Sequence, residues 1–369
     1  MAEIVVIKKC DKYELEKVKK AIEDSVELLG GISLFVKKDE KVLLKVNSLY
    51  PAAPEKIVST NPVLLRAVIR IVKTRTNNIF VGDSPGAGSF AFSAKRNGMQ
   101  EVIQSEGVKL VELSKEEFEL KNQNAIRYHS FKVDGLISRV DKIINLPRLK
   151  THGLMYMTMC VKNMFGIIPG LRKAGYHLRA GKDKMIFAQM LVDLYMSRPP
   201  DLNILDGIIS MEGNGPGGGD PAGTGVLIIG KNGFAVDRIA PKIVGLQTDD
   251  VCTNAVYREY IMKGKEIEIE IKGEKIEDVF YKGFKPVIGK ASSKMPKFLF
   301  NALKNIMNPK QVYLKDKCTG CLSCVKGCPV KALKHEKGKG IICDYDKCIR
   351  CFICQEICPE KAIVIKKSF

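Results

Sequence analysis

The sequence predicts an α/β fold: a mainly parallel sheet with helices on both faces, folded as two lobes with a cleft. A small α+β domain follows at the C-terminal end. Three observations predict this. Short apolar runs alternate with helical periodicities through the first 290 residues, the pattern of a parallel sheet with covered faces. Polar and glycine-rich segments follow several of those runs, where open sheets of this kind bind ligands. Beyond residue 311 the composition changes, and cysteine becomes frequent.

Ile4-Val-Val-Ile7 reads as the first strand. Leu15, Val18, Ile22, Val26 and Leu29 then keep helical spacing, and Gly30-Gly31 ends that helix. Val42–Val46 is the second strand. Thr60 or Asn61 caps a helix that has Pro62 in its first turn and runs to Lys73. Ile79–Val81 is the third strand, closed by the turn Gly82-Asp-Ser-Pro-Gly86. Strands at Lys142–Leu146, Leu202–Leu205 and Val226–Ile229 follow. Helices at Lys184–Met196, Val236–Leu246 and Val251–Met262 complete the pattern. Residues 1–290 thus make the α/β domain, and residues 291–311 a basic amphipathic connector. From Lys285 to Lys310 there are six lysines and no acid, and a helix at 296–307 would carry an apolar stripe. It reads as a connector docked on its neighbour, with peripheral membrane contact as the alternative.

The chain has 369 residues, 45% hydrophobic and 27% charged, which are globular proportions and exclude disorder as the main state. No apolar run approaches the roughly 20 residues that span a bilayer. The first residues lack the order of a signal peptide, so the expected location is cytoplasmic. There, clustered cysteines are read as metal ligands before disulfides. The net charge is +19. An anionic small molecule or an acidic partner protein accounts for that excess, and nucleic-acid binding is not expected.

Of twelve cysteines, nine fall between Cys318 and Cys358, and eight of these form two matching sets. Cys318, Cys321, Cys324 and Cys328-Pro329 have the spacing C-x₂-C-x₂-C-x₃-C-P, and Cys348, Cys351, Cys354 and Cys358-Pro359 repeat it. This is the ligand run of bacterial two-cluster ferredoxins, in which the fourth cysteine serves the other cluster. A zinc site has no need of two such sets. Cys318, Cys321, Cys324 and Cys358 are therefore expected to hold one [4Fe–4S] cluster, and Cys348, Cys351, Cys354 and Cys328 a second. Residues 312–369 resemble the bacterial-type two-cluster ferredoxin domain. The resemblance implies low-potential electron transfer with a soluble donor or acceptor protein. Cys343 is left over and reads as a small hydrophobe on a hairpin strand.

Three stretches of the large domain depart from core pattern. The first is Lys45-Val-Asn47-Ser48, just after a strand. The second runs from Asn145 to His177 and contains Arg148, Lys150, His152, Lys162 and Asn163. Between Lys142 and Lys182 there are eight Lys or Arg and no acid, so a carboxylate or phosphate would find its counter-charges there. His152, Lys162 and His177 are the catalytic candidates, His152 being first choice as proton donor. The third is Asp206-Gly207 to Asp220, a glycine-rich loop with Glu212 and Asn214 that can expose N–H groups to an anion or act as a lid or plain loop. It has no Lys-Ser/Thr ending and so is no nucleoside-triphosphate loop. Asn47, Asp83, Ser84, Arg148, Lys150, Asn163, Glu212 and Asn214 are the candidate substrate contacts.

Lys45-Val-Asn47, Gly82-Asp-Ser-Pro-Gly86, Leu149-Lys-Thr-His152, Val161-Lys-Asn163 with Gly166 and Pro169-Gly170, Asp206-Gly207 with Met211-Glu-Gly-Asn-Gly-Pro216, and Ala235-Val-Asp237 occur in that order. Over about residues 40–250 the chain resembles the family catalogued as domain of unknown function 362. That resemblance implies a cytoplasmic iron–sulfur protein. The order His152, Lys162, Pro169-Gly170, His177 is also similar to the nickel-pincer-dependent lactate racemase family. The likeness would make Lys162 an attachment point with His152 and His177 beside it. The likeness implies a cleft between two α/β lobes, and the chain departs from that family where Asp83 and Ser84 stand in place of a histidine. The expected function is an iron–sulfur oxidoreductase that passes low-potential electrons from the tail to an anionic small molecule in the α/β domain. A racemase or lyase-like enzyme with structural clusters, and a non-enzymatic electron carrier or cluster-assembly partner, are the alternatives.

Overall fold

A computed structural model describes residues 2–114, 117–170, 172–287 and 310–366. The helix expected at 296–307 lies outside the described residues. Before the tail the described residues form thirteen strands, in order β1 (Glu3–Lys9), β2 (Val42–Val46), β3 (Ile79–Asp83), β4 (Lys109–Glu112), β5 (Glu117–Lys121), β6 (Ser130–Asp134), β7 (Lys142–Leu146), β8 (Arg148–His152), β9 (Tyr156–Thr158), β10 (Leu202–Glu212), β11 (Asp220–Ala222), β12 (Val226–Gly230) and β13 (Ile269–Gly273). Eleven of them form one sheet with the path β13-β1-β12-β10-β7-β2-β3-β4. From β10 to β4 the path is parallel, whereas β12 runs antiparallel to both its neighbours. Strands β8, β9 and β11 extend the sheet beside the far half of β10.

Helices cover both faces. Leu15–Leu28 buries Val18, Ile22 and Val26 beside Pro62–Lys73, whose start is capped by the Asn61 side chain. The other face packs on Lys184–Ser197, apolar almost all round and buried accordingly. Two differences from the sequence expectation bear on the site. The strand expected to stop at Leu205 continues to Glu212. Gly207 permits this, since a Cβ there would press on the Val226 carbonyl. The stretch Arg148–His152, singled out in the sequence as departing from core pattern, is a wholly buried strand. Its charged side chains each find a partner or a cavity, which repays the cost of burying them.

The tail repeats itself in structure. Strand β14 (Lys310–Tyr313) pairs with β17 (Ile363–Lys366), and β15 (Leu333–Glu336) with β16 (Gly340–Cys343). Short helices Ser323–Lys326 and Ile353–Glu356 follow Leu322 and Phe352, both left-handed with φ 59°. Lys331 and Lys361, each three residues past the last cysteine of a set, share φ 52°. The tail sits on the glycine-rich loop after β10. Gln355 Nε2 donates to the Asn214 and Gly215 carbonyls, Lys361 Nζ to the Gly219 carbonyl, and Asn214 Nδ2 to the Ile363 carbonyl. A Cβ at Gly217 would strike the Glu356 backbone, and one at Gly153 the Ile365 side chain. The loop that the sequence offered as an anion cradle, a lid or a plain loop is the tail's seat.

Candidate functional site

Parallel strands β2 and β3 end side by side, with Lys45 in register with Gly82. Their ends place Asn47-Ser48 and Asp83-Ser84 at one mouth of the sheet, where such folds bind ligands. Asp83 organises this mouth. Its Oδ1 pairs with Lys45 Nζ at 2.7 Å and accepts from Ser84 N, and its Oδ2 accepts from Ser48 N at 2.6 Å. Gly166 lies against the pair, and a Cβ there would collide with both side chains.

A cavity of about 340 Å³ opens at this mouth. Three lysines reach it from different elements. Lys150, on β8, donates to Asn47 Oδ1 at 2.7 Å and to the Val58 carbonyl at 3.0 Å. Lys173, on the helix Arg172–Ala180, donates to Ser84 O and Oγ and to the Ile168 carbonyl. Lys162 comes from the helical turn Cys160–Asn163, whose first N–H groups are held by the Asp237 carboxylate at 2.8 and 3.0 Å. Its Nζ lies 5.3 Å from the Phe165 ring centroid and has no hydrogen-bond partner among the described residues. Burial lowers all three lysines; neighbouring cations add to this at Lys150 and Lys173 and bring both down to about 7, whereas Glu356 opposes it at Lys162.

The remaining wall comes from the tail. Gly327, Ile353, Glu356 and Ile357 line the same cavity as the lysines. Burial opposes charge on Glu356, but the N–H edge of His152 and the Lys162 ammonium outweigh it and hold the carboxyl at about 2. His152 Nε2 sits 3.1 Å from Glu356 Oε1, near but off the line of a hydrogen bond. Its Nδ1 accepts the Leu154 and Met155 backbone N–H groups at 3.0 and 3.3 Å. Nδ1 is therefore unprotonated, and the one ring proton is on Nε2, facing Glu356. An imidazolium would turn a donor toward those two N–H donors, and burial likewise lowers the pKa. His152 thus orients Glu356 and is poorly placed to supply a proton, contrary to its expected role. His177 stacks on Phe187 with centroids 4.0 Å apart, and burial pushes it down to about 3. It serves as a neutral aromatic wall.

The cavity gathers Asn47, Asp83, Ser84, Lys150, His152, Lys162, Asn163 and His177 of the expected residues. It does not gather Arg148, Glu212 or Asn214. Arg148 and His152 share one face of β8, but four residues of strand separate them by about 13 Å. Arg148 is spent on Tyr13 Oη, Ser59 O and Ile209 O, beside buried Asp206. Glu212 accepts from Lys285 N, and Asn214 fastens the tail. Lys173 and Glu356 were missing from the expected set. Lys173 is four residues before His177, hence on the same helix face, and lies in the acid-free stretch. Glu356 has no such signal, because only docking brings it to the cavity.

The tail encloses two smaller cavities. One is lined by Cys318, Cys321, Cys324 and Cys358, the other by Cys328, Cys348, Cys351 and Cys354. All eight thiols are free. Among the described residues, no three His, Cys, Asp or Glu side chains converge tightly enough for a single ion. Four wide-set soft thiols instead fit a cluster with irons at its corners. Backbone N–H groups of Ala332 and Arg350 point at Cys328 and Cys348 sulfurs, as they would toward thiolates. Cys343 lies beside Cys348, sharing the Gln311 amide.

Residues 42–242 match the family described as a domain of unknown function, DUF362, and residues 310–359 match a 4Fe-4S dicluster domain. A thylakoid-associated protein of Synechocystis is 35% identical over 255 residues, covering 69% of this chain and 78% of that protein. The lactate racemase apoprotein of Thermoanaerobacterium thermosaccharolyticum is similar in structure, with 12% identity and a TM-score of 0.39 over 57% of this chain and 51% of that one. A Thermotoga maritima protein gives 13% and 0.36 over 55% and 52%. The chain spans about half the length of either solved structure. The tail is thus an iron–sulfur-binding domain with the capacity for electron transfer. No described helix is long and apolar enough to cross a membrane.

Proposed function

The chain belongs to the DUF362 family, and from that premise we propose an iron–sulfur oxidoreductase that acts on an anionic small molecule in the lysine-lined cavity. One observation carries the reading: the cavity has lysines on its α/β side and, on its other side, tail residues lying between cluster-type cysteines. Cys318, Cys321, Cys324 and Cys358 would hold one [4Fe–4S] cluster, and Cys328, Cys348, Cys351 and Cys354 the second. Bound there, the two clusters supply single electrons at low potential.

The protein's own groups do the rest. Lys150, Lys162 and Lys173 bind and orient the anion, with Asn47 and Ser84 holding two of them in place. Ile353 and Ile357 exclude water on the tail side. Lys162 Nζ carries a proton with no competing acceptor, and its lowered pKa suits it to release that proton to a group gaining electrons. A soluble low-potential protein would deliver the electrons. The expected setting is cytoplasmic. The thylakoid-associated relative makes peripheral attachment to a membrane the alternative, and cell fractionation decides between them.

The test is anaerobic. The clusters are reduced, and their visible absorbance is followed while pools of anionic metabolites are added. Fast reoxidation by one pool, abolished in Lys162→Ala, is the expected result. Clusters that reduce reversibly yet meet no oxidant in any pool would favour the carrier reading.

A further inference from the structure

The two thiol sets repeat each other in spacing but not in surroundings. Cys328, Cys348, Cys351 and Cys354 form the inner set. Ile353 lines both their cavity and the lysine-lined cavity, and Gly327, another wall residue of the latter, directly precedes Cys328. Cys318, Cys321, Cys324 and Cys358 form the outer set. Their cavity shares no lining residue with the lysine-lined one, and Cys321 alone of the eight thiols is exposed.

The surface charge differs in the same sense. From Lys315 to Lys339 there are seven lysines and two acids, Asp316 and Glu336, and all nine side chains are exposed. From Asp344 to Lys366 four basic residues balance four acids. The lysines of the first repeat surround the outer set. Lys315 and Lys339 line its cavity, against one acid, Glu360. Lys315 also packs beside Gly340, so the chain before Cys318 meets the hairpin turn that carries Lys337 and Lys339. Lys339 reaches Glu336 at 3.0 Å, an exposed pair that water and salt leave weak. Residues 288–309 contain no acid and supply no counter-charge. We propose that this lysine face docks an acidic one-electron carrier protein, so that electrons enter at the outer set while the inner set faces the ligand cavity. The proposal rests on the redox reading of the chain. Electron transfer slows steeply with distance, which favours entry on the side of exposed Cys321. The carrier loses one electron and is oxidised, the tail gains that electron, and no atom or proton is transferred. Complementary charge brings the two proteins together quickly and in one orientation.

Flavodoxin, a small acidic flavoprotein that carries single electrons, serves as the probe. Its binding to the holoprotein is titrated calorimetrically at low and at moderate salt. Affinity should fall about tenfold between about 20 and about 200 mM salt. Lys315→Glu with Lys339→Glu should weaken low-salt binding about tenfold at unchanged iron content, whereas Lys347→Glu with Lys366→Glu should change it less than about twofold. Equal weakening by both pairs overturns the proposal, as does wild-type binding that is absent or indifferent to salt. A second measurement needs no variant. Carbodiimide joins carrier carboxylates to lysines in contact with them, and the joined peptides are identified by mass spectrometry. Links at Lys315, Lys337 or Lys339 are expected, and links confined to other lysines overturn the proposal. Neither measurement involves a substrate. Docking at this face with no reoxidation of reduced clusters by any anion pool would therefore sink the oxidoreductase reading alone, and reoxidation with docking elsewhere this inference alone.

Discussion

The thiol-lined cavities and the lysine-lined cavity are neighbours, yet they are built in opposite ways. Each thiol set takes three cysteines from seven consecutive residues and a fourth from the other repeat. Local backbone places each triplet, since the left-handed Leu322 and Phe352 turn both in the same manner, and only the fourth cysteine comes from a distance. The lysine cavity draws on β8, the turn at Cys160, the helix at Arg172, two strand ends and the docked tail. Its charges would repel in any local structure. They are held together by tethers (Asn47, Ser84, Asp83) and by one carboxylate from another domain. A motif built from neighbours tolerates changes elsewhere, whereas a site built from distant parts depends on each contact that joins them.

The largest effect should come from the thiols. Cys324→Ala should remove one cluster and about half of the iron, read by iron content and visible absorbance. Should all iron disappear, the two sets are not separable. Next is the joint between distant parts. Gly166→Ala places a methyl group on the Lys45–Asp83 pair and should destabilise the α/β domain by about 1–3 kcal/mol, read as a fall in Tm with iron content unchanged. An unchanged Tm would mean that the mouth can give way. The third effect is pH dependence. Lys150 and Lys173 lose their protons as pH rises through about 7, so anion affinity should fall with rising pH. From about pH 6 to about pH 8 the fall should be roughly tenfold for each lysine that must be charged. Affinity that rises with pH would refute the lysine assignment. The smallest belongs to the seat. Asn214→Ala removes its bond to the Ile363 carbonyl and its acceptor for Ile365 N, at a cost of about 1 kcal/mol. Faster proteolysis of the tail at equal iron content would report it.

Residue order alone carried the parts that rest on periodicity and spacing. The β2 and β3 strands, the Asn61 cap and the cysteine sets follow from neighbours a few residues apart. The acid-free stretch reads as an anion site, and Lys150, His152, Lys162, Asn163, Lys173 and His177 within it line the cavity. What it could not carry was destination. Along β8, Arg148, Lys150 and His152 look alike as polar residues at alternate positions, but each step of the strand moves a side chain onward. Arg148 consequently ends in a structural network with Tyr13 and Asp206, while Lys150 and His152 reach the ligand space. Glu356 becomes part of the site only when the tail sits on the glycine loop. That contact joins residues 204 positions apart, His152 and Glu356, which no local rule relates. Spacing sets what a segment can hold by itself. Which distant charges share a cavity depends on packing, because burial and Coulomb energy act on distance in space and not along the chain.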